Sequence, residues 1–335
     1  MHRLIPSSTG YFAGLVLCSV IAGLAYLLGA TETFGRLGIG PLTLAILVGV
    51  VVGNGLPERA RHRLRPGIGM AQTRLLRLGV MLYGFNLSFQ QIAQVGTAAL
   101  LTDIGIIAAT LSVGWIVGTR WLKLDRETVI LTSAGSAICG AAAILATEPV
   151  LGAPAHKTSA AVGSVVLFGS LGMIVYPFLY HLGWWQAPAF GVYVGATVHE
   201  VAQVVAIGKT LGGSVADTAV IVKMMRVLML APFLVGLRFT AVGHSARAGR
   251  RLALPWFALG FVALTGFNSL QWCSPGFVAV CRSLDTLLLA VAMAALGVET
   301  TFERMRQAGR GALVLGAVLF AQLILLGGGV LMFLR

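Results

Sequence analysis

Apolar stretches long enough to cross a lipid bilayer recur from one end of this chain to the other. A membrane-spanning helix needs about 17–25 mainly apolar residues, whereas a soluble fold needs a charged surface. Hydrophobic residues make up 57% of the 335 residues and charged residues only 10%, against roughly 25% charged in an average soluble domain. The sequence therefore predicts an all-α, multi-pass membrane protein and excludes a soluble globular fold.

We expect about 9–11 hydrophobic segments, with boundaries uncertain by about two to four residues. They are expected at 11–30, 40–55, 75–89, 97–119, 128–150, 158–180, 189–210, 217–238, 254–270, 284–299 and 311–333. The first is longer than the about 7–15 apolar residues of a signal peptide, so we interpret residues 1–39 as an extra N-terminal helix.

The net charge of +13 is confined largely to short connections between the apolar segments. Four clusters hold most of it: Arg59, Arg61, Arg63, Arg65, Arg74 and Arg77; Arg120, Lys123 and Arg126; Arg238, Arg247, Arg250 and Arg251; Arg304, Arg306 and Arg310. An excess of Lys and Arg is typical of cytoplasmic loops in membrane proteins. The charge therefore predicts cytoplasmic clusters and a cytoplasmic N-terminus, and no nucleic-acid partner.

Internal repeats relate the two halves of the sequence. The matched stretches are 41–56 with 255–270 and 83–96 with 296–309. The first match aligns Asn54 with Asn268 at an offset of 214 positions, and the second has an offset of 213. Because transporters are commonly built from repeats, we predict one transporter domain, residues 1–335, with repeats at 40–182 and 183–335.

A looser match pairs two stretches in the middle of the chain, 135–146 and 196–207. If the segments 128–150 and 189–210 both crossed the membrane fully, they would point the same way and could not be inverted copies. If both are broken or re-entrant and enter from opposite faces, all four charge clusters stay inside and the repeats are inverted. We favour the second arrangement, because inverted repeats with interrupted helices place a binding site at the midplane.

The first of these segments contains a candidate binding stretch, TSAGSAICGAAA, at 132–143. Ser133 and Ser136 offer hydroxyl groups, while Gly135 and Gly140 permit an open backbone whose N–H groups attract an anion at a helix N-terminus. Close packing of helices through small residues explains the same composition. The stretch alone does not decide between the two interpretations.

The second stretch, GATVHEVAQVVAIG at 195–208, places polar groups in an apolar segment. Thr197, His199 and Gln203 are candidate substrate ligands, and Glu200 with His199 is the candidate coupling pair because histidine titrates near neutral pH. A carboxylate at the bilayer centre costs about 2.5–3.5 kcal/mol even on lenient scales. A buried polar cluster that locks two helices is the alternative to a functional site.

Two cations lie three positions apart in the following segment, Lys223 and Arg226. They are expected to attract either Asp103 and Glu200 or an anionic ligand, since arginine binds oxyanions through its forked donors. A pair of side chains that reach the membrane interface remains an alternative. We include both residues in the candidate substrate site.

Other kinds of chemistry lack their sequence motifs. The sequence has no nucleotide-binding loop, metal-binding Cys/His set or nucleophile elbow, so we expect no cofactor, no metal and no enzymatic activity. An intramembrane enzyme that uses Ser136, His199 and Glu200 is kept as an alternative. Cys273 and Cys281 fall in a predicted outer loop, where they either pair or remain free.

Four stretches in order, GPLTLAILVGVVVGN, LLRLGVMLYGFNLSF, SAGSAICGAAAI and GATVHEVAQVVAIG, resemble the sulfate exporter family of bacterial inner-membrane proteins. That family is grouped with the cation:proton antiporters and bile-acid symporters, a resemblance that implies inverted repeats and two broken helices that cross at the midplane. EVAQ at 200–203 is similar to the symporter's broken helix. The symporter's following Asn is Val204 here, which leaves proton coupling open.

These observations together predict a secondary transporter in the bacterial inner membrane that exports a small anion, with sulfate or a related sulfur oxyanion as first candidate. The expected partners are this anion and the lipid bilayer, and a homodimer stays open. A proton- or sodium-coupled importer of an organic anion on the same fold is the nearest alternative.

Overall fold

The computed structural model describes residues 8–29, 31, 40–239, 256–301, 303 and 309–333, and every regular element within these residues is helical. The α-helices in chain order are α1 (Ser8–Gly29), α2 (Pro41–Gly55), α3 (Glu58–Met70), α4 (Leu76–Leu82), α5 (Phe89–Ile116), α6 (Arg126–Ala137), α7 (Ala141–Leu151), α8 (Ala155–His181), α9 (Ala187–Thr197), α10 (Val201–Leu211), α11 (Gly213–Leu228), α12 (Leu230–Phe239), α13 (Trp256–Ser269), α14 (Pro275–Glu299) and α15 (Arg310–Phe333). Six stretches of this described helical structure are long and apolar enough to cross a membrane. The predicted all-α, multi-pass fold is confirmed.

The chain forms two compact units, one of Met1–Phe89 with Leu259–Phe302 and one of Gln90–Ala258 with Glu303–Arg335. Each unit draws residues from both predicted repeats. The division of the chain at 40–182 and 183–335 stays a prediction.

Two equivalent hydrogen bonds appear in the first unit. Asn54 Nδ2 donates to the Thr300 carbonyl at 3.2 Å, and Asn268 Nδ2 donates to the Leu87 carbonyl at 2.8 Å. The sequence repeats align Asn54 with Asn268 and Leu87 with Thr300. Each bond joins the end of a short apolar helix to the residue that follows another helix, so the matched positions make matched contacts.

The basic stretch at 57–77 is helical, although the sequence analysis placed it in a connection. It forms α3, a π-helical turn (Ala71–Leu75) and the start of α4. Pro57 precedes the helix and Glu58 lies in its first turn, where a negative charge interacts favourably with the helix dipole. Arg59, Arg63 and Arg65 are exposed, so these side chains lie outside the protein core.

Cys273 and Cys281 do not form a disulfide, and all four cysteines, which lie in the described part of the chain, are free thiols. Cys281 was expected in an outer loop, but it is buried in α14, which begins at Pro275 after the N-cap Ser274. Arg247, Arg250, Arg251, Arg304 and Arg306 lie outside the described residues.

The predicted segment 128–150 is a helical hairpin in the second unit. α6 ends at Ala137, residues 138–140 are non-helical, and α7 begins at Ala141. Lys157, at the start of α8, lies 2.7 Å from Asp125 Oδ1 and 2.9 Å from Glu127 Oε2, at the start of α6. The start of α6 and the residues after α7 are therefore neighbours. We call α6 and α7 hairpin 1 and residues 138–140 its tip.

The segment 189–210 forms a second hairpin. α9 ends at Thr197 and α10 begins at Val201. Gly191, near the start of α9, packs against Val215 and Thr218, and Gly208, near the end of α10, packs against Ala216. Both ends of this segment therefore lie beside the first turns of α11. We call α9 and α10 hairpin 2 and residues 198–200 its tip.

The two hairpins enter the second unit from opposite ends. α8 contains 27 residues, a length of about 40 Å at 1.5 Å per residue. It begins at the base of hairpin 1 and ends at His181, six residues before α9. The resemblance implied two broken helices that cross; the structure instead has two re-entrant hairpins, because the chain reverses at each break.

Asp125 stabilises the base of hairpin 1 in two ways. Its side chain accepts a hydrogen bond from the Thr128 backbone N–H at 3.1 Å, as the N-cap of α6, and it pairs with Lys157. Partial burial raises the pKa of Asp125, but the hydrogen bonds from Lys157 and Thr128 outweigh this effect and leave the pKa below its usual value. The carboxylate form therefore stabilises the folded state.

We expect Asp125→Ala to lower the free energy of unfolding by about 1–2 kcal/mol, because it removes a helix cap. Asp125→Asn keeps an acceptor for Thr128 and removes only an exposed ion pair, so its cost is expected to stay below about 1 kcal/mol. Since a lowered pKa stabilises the fold only above the unfolded value, the difference between wild type and Asp125→Ala should shrink as the pH falls below about 4. Thermal unfolding in detergent at several pH values measures both. Equal losses for the two variants would contradict the capping role.

Candidate functional site

The tips of the two hairpins touch each other inside the second unit. The Ala141 backbone N–H donates to Glu200 Oε1 at 3.2 Å. Gly140 has a φ of +68° and a ψ of −134°, and a Cβ at this position would lie 2.5 Å from Glu200 Cγ. Glycine is thus required at Gly140 both by the backbone conformation and by the space that Glu200 occupies.

Glu200 caps the N-termini of both return helices. Its carboxylate accepts from Ala141 in α7, and it forms a capping box with Gln203 in α10, in which Gln203 Oε1 accepts from the Glu200 N–H at 3.1 Å. Free N–H groups and the helix dipole make the start of a helix favourable for negative charge. One carboxylate therefore compensates two helix N-termini.

Lys223 joins the two tips from α11. Its Nζ donates to the Ile138 carbonyl at 2.8 Å and to the Val198 carbonyl at 2.6 Å, and the side chain is fully buried. Ile138 follows α6 and Val198 follows α9, so a cation lies where two helix C-termini present carbonyl oxygens. Lys223 thus holds the outgoing ends of both hairpins.

Arg226 lies one turn after Lys223 on α11 and also contacts hairpin 1, next to its tip. Its Nε donates to the Ala137 carbonyl and lies 3.6 Å from Asp103 Oδ1 on α5. Arg226 and Asp103 are both fully buried. Within the described part of the chain, Arg226 Nη1 and Nη2 and both Asp103 oxygens have no hydrogen-bond partner. The charges are close, but the ion pair is incomplete.

Further buried polar atoms of the predicted site have no partner among the described residues. They are the Ser133 and Ser136 hydroxyls, both His199 ring nitrogens and Gln203 Nε2. Nearly all buried polar groups in proteins are hydrogen-bonded to protein or to water. Open groups of this kind are therefore places where water or a ligand is expected to bind; of these groups, the Ser133 hydroxyl faces Gly114 of α5.

The surroundings of three further predicted residues, Gly135, Thr197 and His199, are as follows. Gly135 packs against Ile144 and Val165, which brings α6, α7 and α8 together. Thr197 Oγ1 donates to the Tyr193 carbonyl and accepts from Tyr176 Oη at 2.7 Å. His199 is buried with its ring centroid 6.0 Å from that of Phe320 in α15.

Gln203 is held against α8 by a glycine. Gly169 faces the Gln203 amide so closely that a Cβ would overlap it. Gly169 was not singled out in the sequence analysis, and nothing in its neighbours marks it. The carbonyls of Ala137, Ile138 and Val198 were also missed, because any residue supplies a backbone carbonyl.

The described residues contain no group of three or more His, Cys, Asp or Glu side chains that would hold a metal ion. At and beside the tips lies a buried set of polar groups, several of which are open hydrogen-bond donors. Lys223 and Glu200 are engaged with the backbone, whereas the Arg226 Nη groups, the Gln203 amide and the serine hydroxyls are open. Such an arrangement suits a small oxyanion.

Several apolar spans and two opposed re-entrant hairpins define the class: a multi-pass helical membrane protein. The chain belongs to the family described as Conserved hypothetical protein 698, whose pattern covers residues 13–316, and its relatives are UPF0324 membrane proteins. It is 47% identical to a UPF0324 membrane protein of Pseudomonas aeruginosa over 98% of this chain and 94% of that protein.

Two further relatives are also similar over nearly the whole length of this chain. The chain is 44% identical to a UPF0324 membrane protein of Yersinia pestis over 99% of this chain and 95% of the relative. It is 42% identical to the UPF0324 inner membrane protein YeiH of Salmonella typhimurium over 96% of this chain and 93% of the relative. No solved structure matches the chain.

Proposed function

We propose that this protein is a secondary transporter that exports a small anion, with sulfate or a related sulfur oxyanion as the first candidate. The observation that carries the proposal is the meeting of two re-entrant hairpins, which enter from opposite ends, at a buried cluster of charged and open polar groups. Interrupted helices that meet inside a membrane protein are typical of transporter binding sites. Under this proposal the protein is not an enzyme.

The balance of donors and acceptors favours an anion over a cation. Lys223 and Arg226 face Asp103 and Glu200, so the four charged groups cancel when all are ionised. The Arg226 Nη groups and Gln203 Nε2 are donors that have no hydrogen-bond partner among the described residues. An oxyanion would accept from the Arg226 fork, and the Ser133 and Ser136 hydroxyls and His199 would complete its shell.

The distribution of basic residues supports an orientation in the membrane. The end of the second unit that holds the base of hairpin 1 also carries Arg120, Lys123, Arg126, Arg238 and Arg310. Leu237 packs on the core of that base, and Gly311 packs on Leu124. We call this end the arginine end. The positive-inside rule supports placing it in the cytoplasm, and the cytoplasmic N-terminus remains part of the proposal.

The inverted repeat belongs to the same proposal. The opposite entry of the hairpins and the matched hydrogen bonds of Asn54 and Asn268 both support a two-fold relation between the halves. A site on such an axis lies near the midplane. From there, an inside-negative potential, worth about 2.3 kcal/mol per charge per 100 mV, favours outward movement of a net negative charge, which sulfate keeps even when one proton moves with it.

Flux of radiolabelled sulfate from proteoliposomes under an imposed potential tests the proposal. We expect a negative internal potential to accelerate efflux, and Arg226→Lys to weaken sulfate binding about tenfold or more. The reason is that lysine keeps the charge but loses the fork, and hydrogen bonds to charged groups are worth about 1.5–3 kcal/mol.

Arg238→Lys, the same change at an exposed position on α12, is the matched control and should transport like the wild type. Normal sulfate flux by Arg226→Lys would contradict the site. Flux that requires a proton or sodium gradient and runs inward would instead favour the importer of an organic anion.

A further inference from the structure

Asp103 is a buried carboxylate whose position is explained neither by packing nor by a complete hydrogen-bond set. It lies in the middle of α5 and is fully buried, in a region where α5 packs with α9, α11 and α15 through Ala99, Ile106, Ala196, Val222 and Leu323. An ionised side chain in such surroundings is expensive unless it is paired and hydrogen-bonded. Asp103 is only partly paired.

The groups that face Asp103 define its electrostatics. α11 contributes Arg226, with Nε at 3.6 Å, and Lys223 further away. α9 contains no charged residue, and the only one described on α15 is Arg310, at the arginine end. His199 in the tip of hairpin 2, Cys139 in the tip of hairpin 1 and Tyr176 on α8 are further titratable side chains near these cations. Arg226 is therefore the principal counter-ion of Asp103.

The Nε and Nη groups of Arg226 differ in their hydrogen bonding. Its Nε–H is occupied by the Ala137 carbonyl, so this atom has no hydrogen left for Asp103. The Nη1 and Nη2 groups are the remaining donors, and neither has a partner in the part of the chain that the structure describes. The same N–H groups can donate either to the Asp103 carboxylate, after a small rotation of the side chain, or to an oxyanion ligand.

The Asp103 carboxylate and an oxyanion cannot both bind the Arg226 guanidinium group while both are negatively charged. With Asp103, Glu200, Lys223 and Arg226 ionised, the cluster is neutral, and a bound sulfate would bring its charge to −2. Two carboxylates, a sulfate and two cations in a water-poor site repel strongly, because charge interactions there are much less screened than in water. Protonation of one carboxylate relieves this charge, and Glu200 is committed to two helix N-termini.

We propose that Asp103 is the proton-coupling group: an anion that binds the Arg226 fork displaces the Asp103 carboxylate, which then takes up one proton. The inference rests on the proposed anion site and adds its coupling residue. In the step, the Asp103 carboxylate and a proton from the aqueous side form a neutral carboxyl group, and the anion replaces it as the partner of Arg226. Anion and proton are thus bound together and released together.

Sulfate titration of the purified protein in weak buffer with a pH-indicator dye tests the step. We expect the wild type to take up about one proton per sulfate bound, and its affinity for radiolabelled sulfate to fall about tenfold per pH unit as the pH rises above the range in which Asp103 is protonated. Asp103→Asn should bind sulfate with no proton uptake and with an affinity independent of pH.

Asp125→Asn is the matched control, because it makes the same change on an exposed carboxylate outside the site, and it should keep the proton uptake. If Asp103→Asn fails to fold, Asp103→Glu serves: it retains a carboxyl group and should shift the infrared band of the carboxyl that is protonated when sulfate is added. An unshifted band would overturn the proposal.

The remaining outcomes separate this inference from the function on which it rests. Sulfate binding by the wild type without proton uptake would overturn the role of Asp103 and leave the anion site intact. Proton uptake that persists in Asp103→Asn but disappears in His199→Asn would assign the proton to His199 and overturn the proposal. A wild type that binds no sulfate would contradict the proposed function itself, and the inference with it.

Discussion

Lys223→Met is expected to abolish sulfate flux and to destabilise the protein by about 3–5 kcal/mol, the range for breaking a buried charge network. Methionine has a similar length but no donor, so the Ile138 and Val198 carbonyls lose their partner. Each unpaired buried carbonyl costs about 1–3 kcal/mol. The loss of a cation would also leave Asp103 and Glu200 in excess over Arg226. Thermal unfolding in detergent and flux in proteoliposomes measure the two effects.

Lys123→Met is the matched control, since it removes the same charge from an exposed position between α5 and α6. It should unfold at nearly the wild-type temperature and keep its flux. A Lys223→Met protein as stable as this control would show that the two tips do not depend on the ammonium group, which would contradict its bridging role.

Gly140→Ala is expected to cost several kcal/mol and to eliminate sulfate binding. Its backbone conformation is one that residues with a Cβ rarely adopt, at about 1–3 kcal/mol, and the new Cβ would overlap the Glu200 side chain. Glu200 would have to move away from Ala141, which would uncap α7. Binding of sulfate and the unfolding temperature of the variant check this.

Gly152→Ala provides a comparison at the other end of α7. Gly152 also has a positive φ, +65°, but a Cβ there would meet nothing within 4 Å. Its cost should be limited to the left-handed conformation, about 1–2 kcal/mol, with sulfate binding retained. Similar behaviour of the two variants would mean that the contact between the tips has no functional importance.

The interruptions in the two hairpins were predictable because they have local causes. Gly140 interrupts the helical pattern of segment 128–150, directly before α7 begins. The polar residues His199, Glu200 and Gln203 indicate the second interruption, and Glu200 is the residue directly before α10 begins. Polar side chains inside an apolar segment must find partners, and helix ends are where backbone groups need them. The existence of a polar cluster was therefore readable from the residues alone.

The reversal of the chain at each break was not readable in the same way. A broken helix that continues and a hairpin that returns have the same composition and periodicity. What distinguishes them is the contact of Lys157 with Asp125 and Glu127, which depends on how α8 packs. Loop charges favoured opposite entry, but they are equally compatible with broken and with re-entrant segments.

The partners of the two cations were predicted only as alternatives. Arg226 does face Asp103, which was one of the options, but the two residues lie on helices far apart in sequence. Lys223 binds two backbone carbonyls, and no pattern of side chains in the sequence predicts that contact. The repeat in the first unit was visible because Asn54 and Asn268 are conspicuous polar residues at matched positions.

The bridge from Lys223 to both tips has a consequence for permeability. Under the proposed transport function, hairpin 1 and hairpin 2 would close the path to opposite aqueous compartments, and the Lys223 ammonium group links one tip to the other. Withdrawal of either hairpin breaks one of its two hydrogen bonds while the other still anchors the remaining tip. Simultaneous opening, which would let protons and salts leak freely, requires the loss of both bonds and an ammonium stranded among apolar side chains.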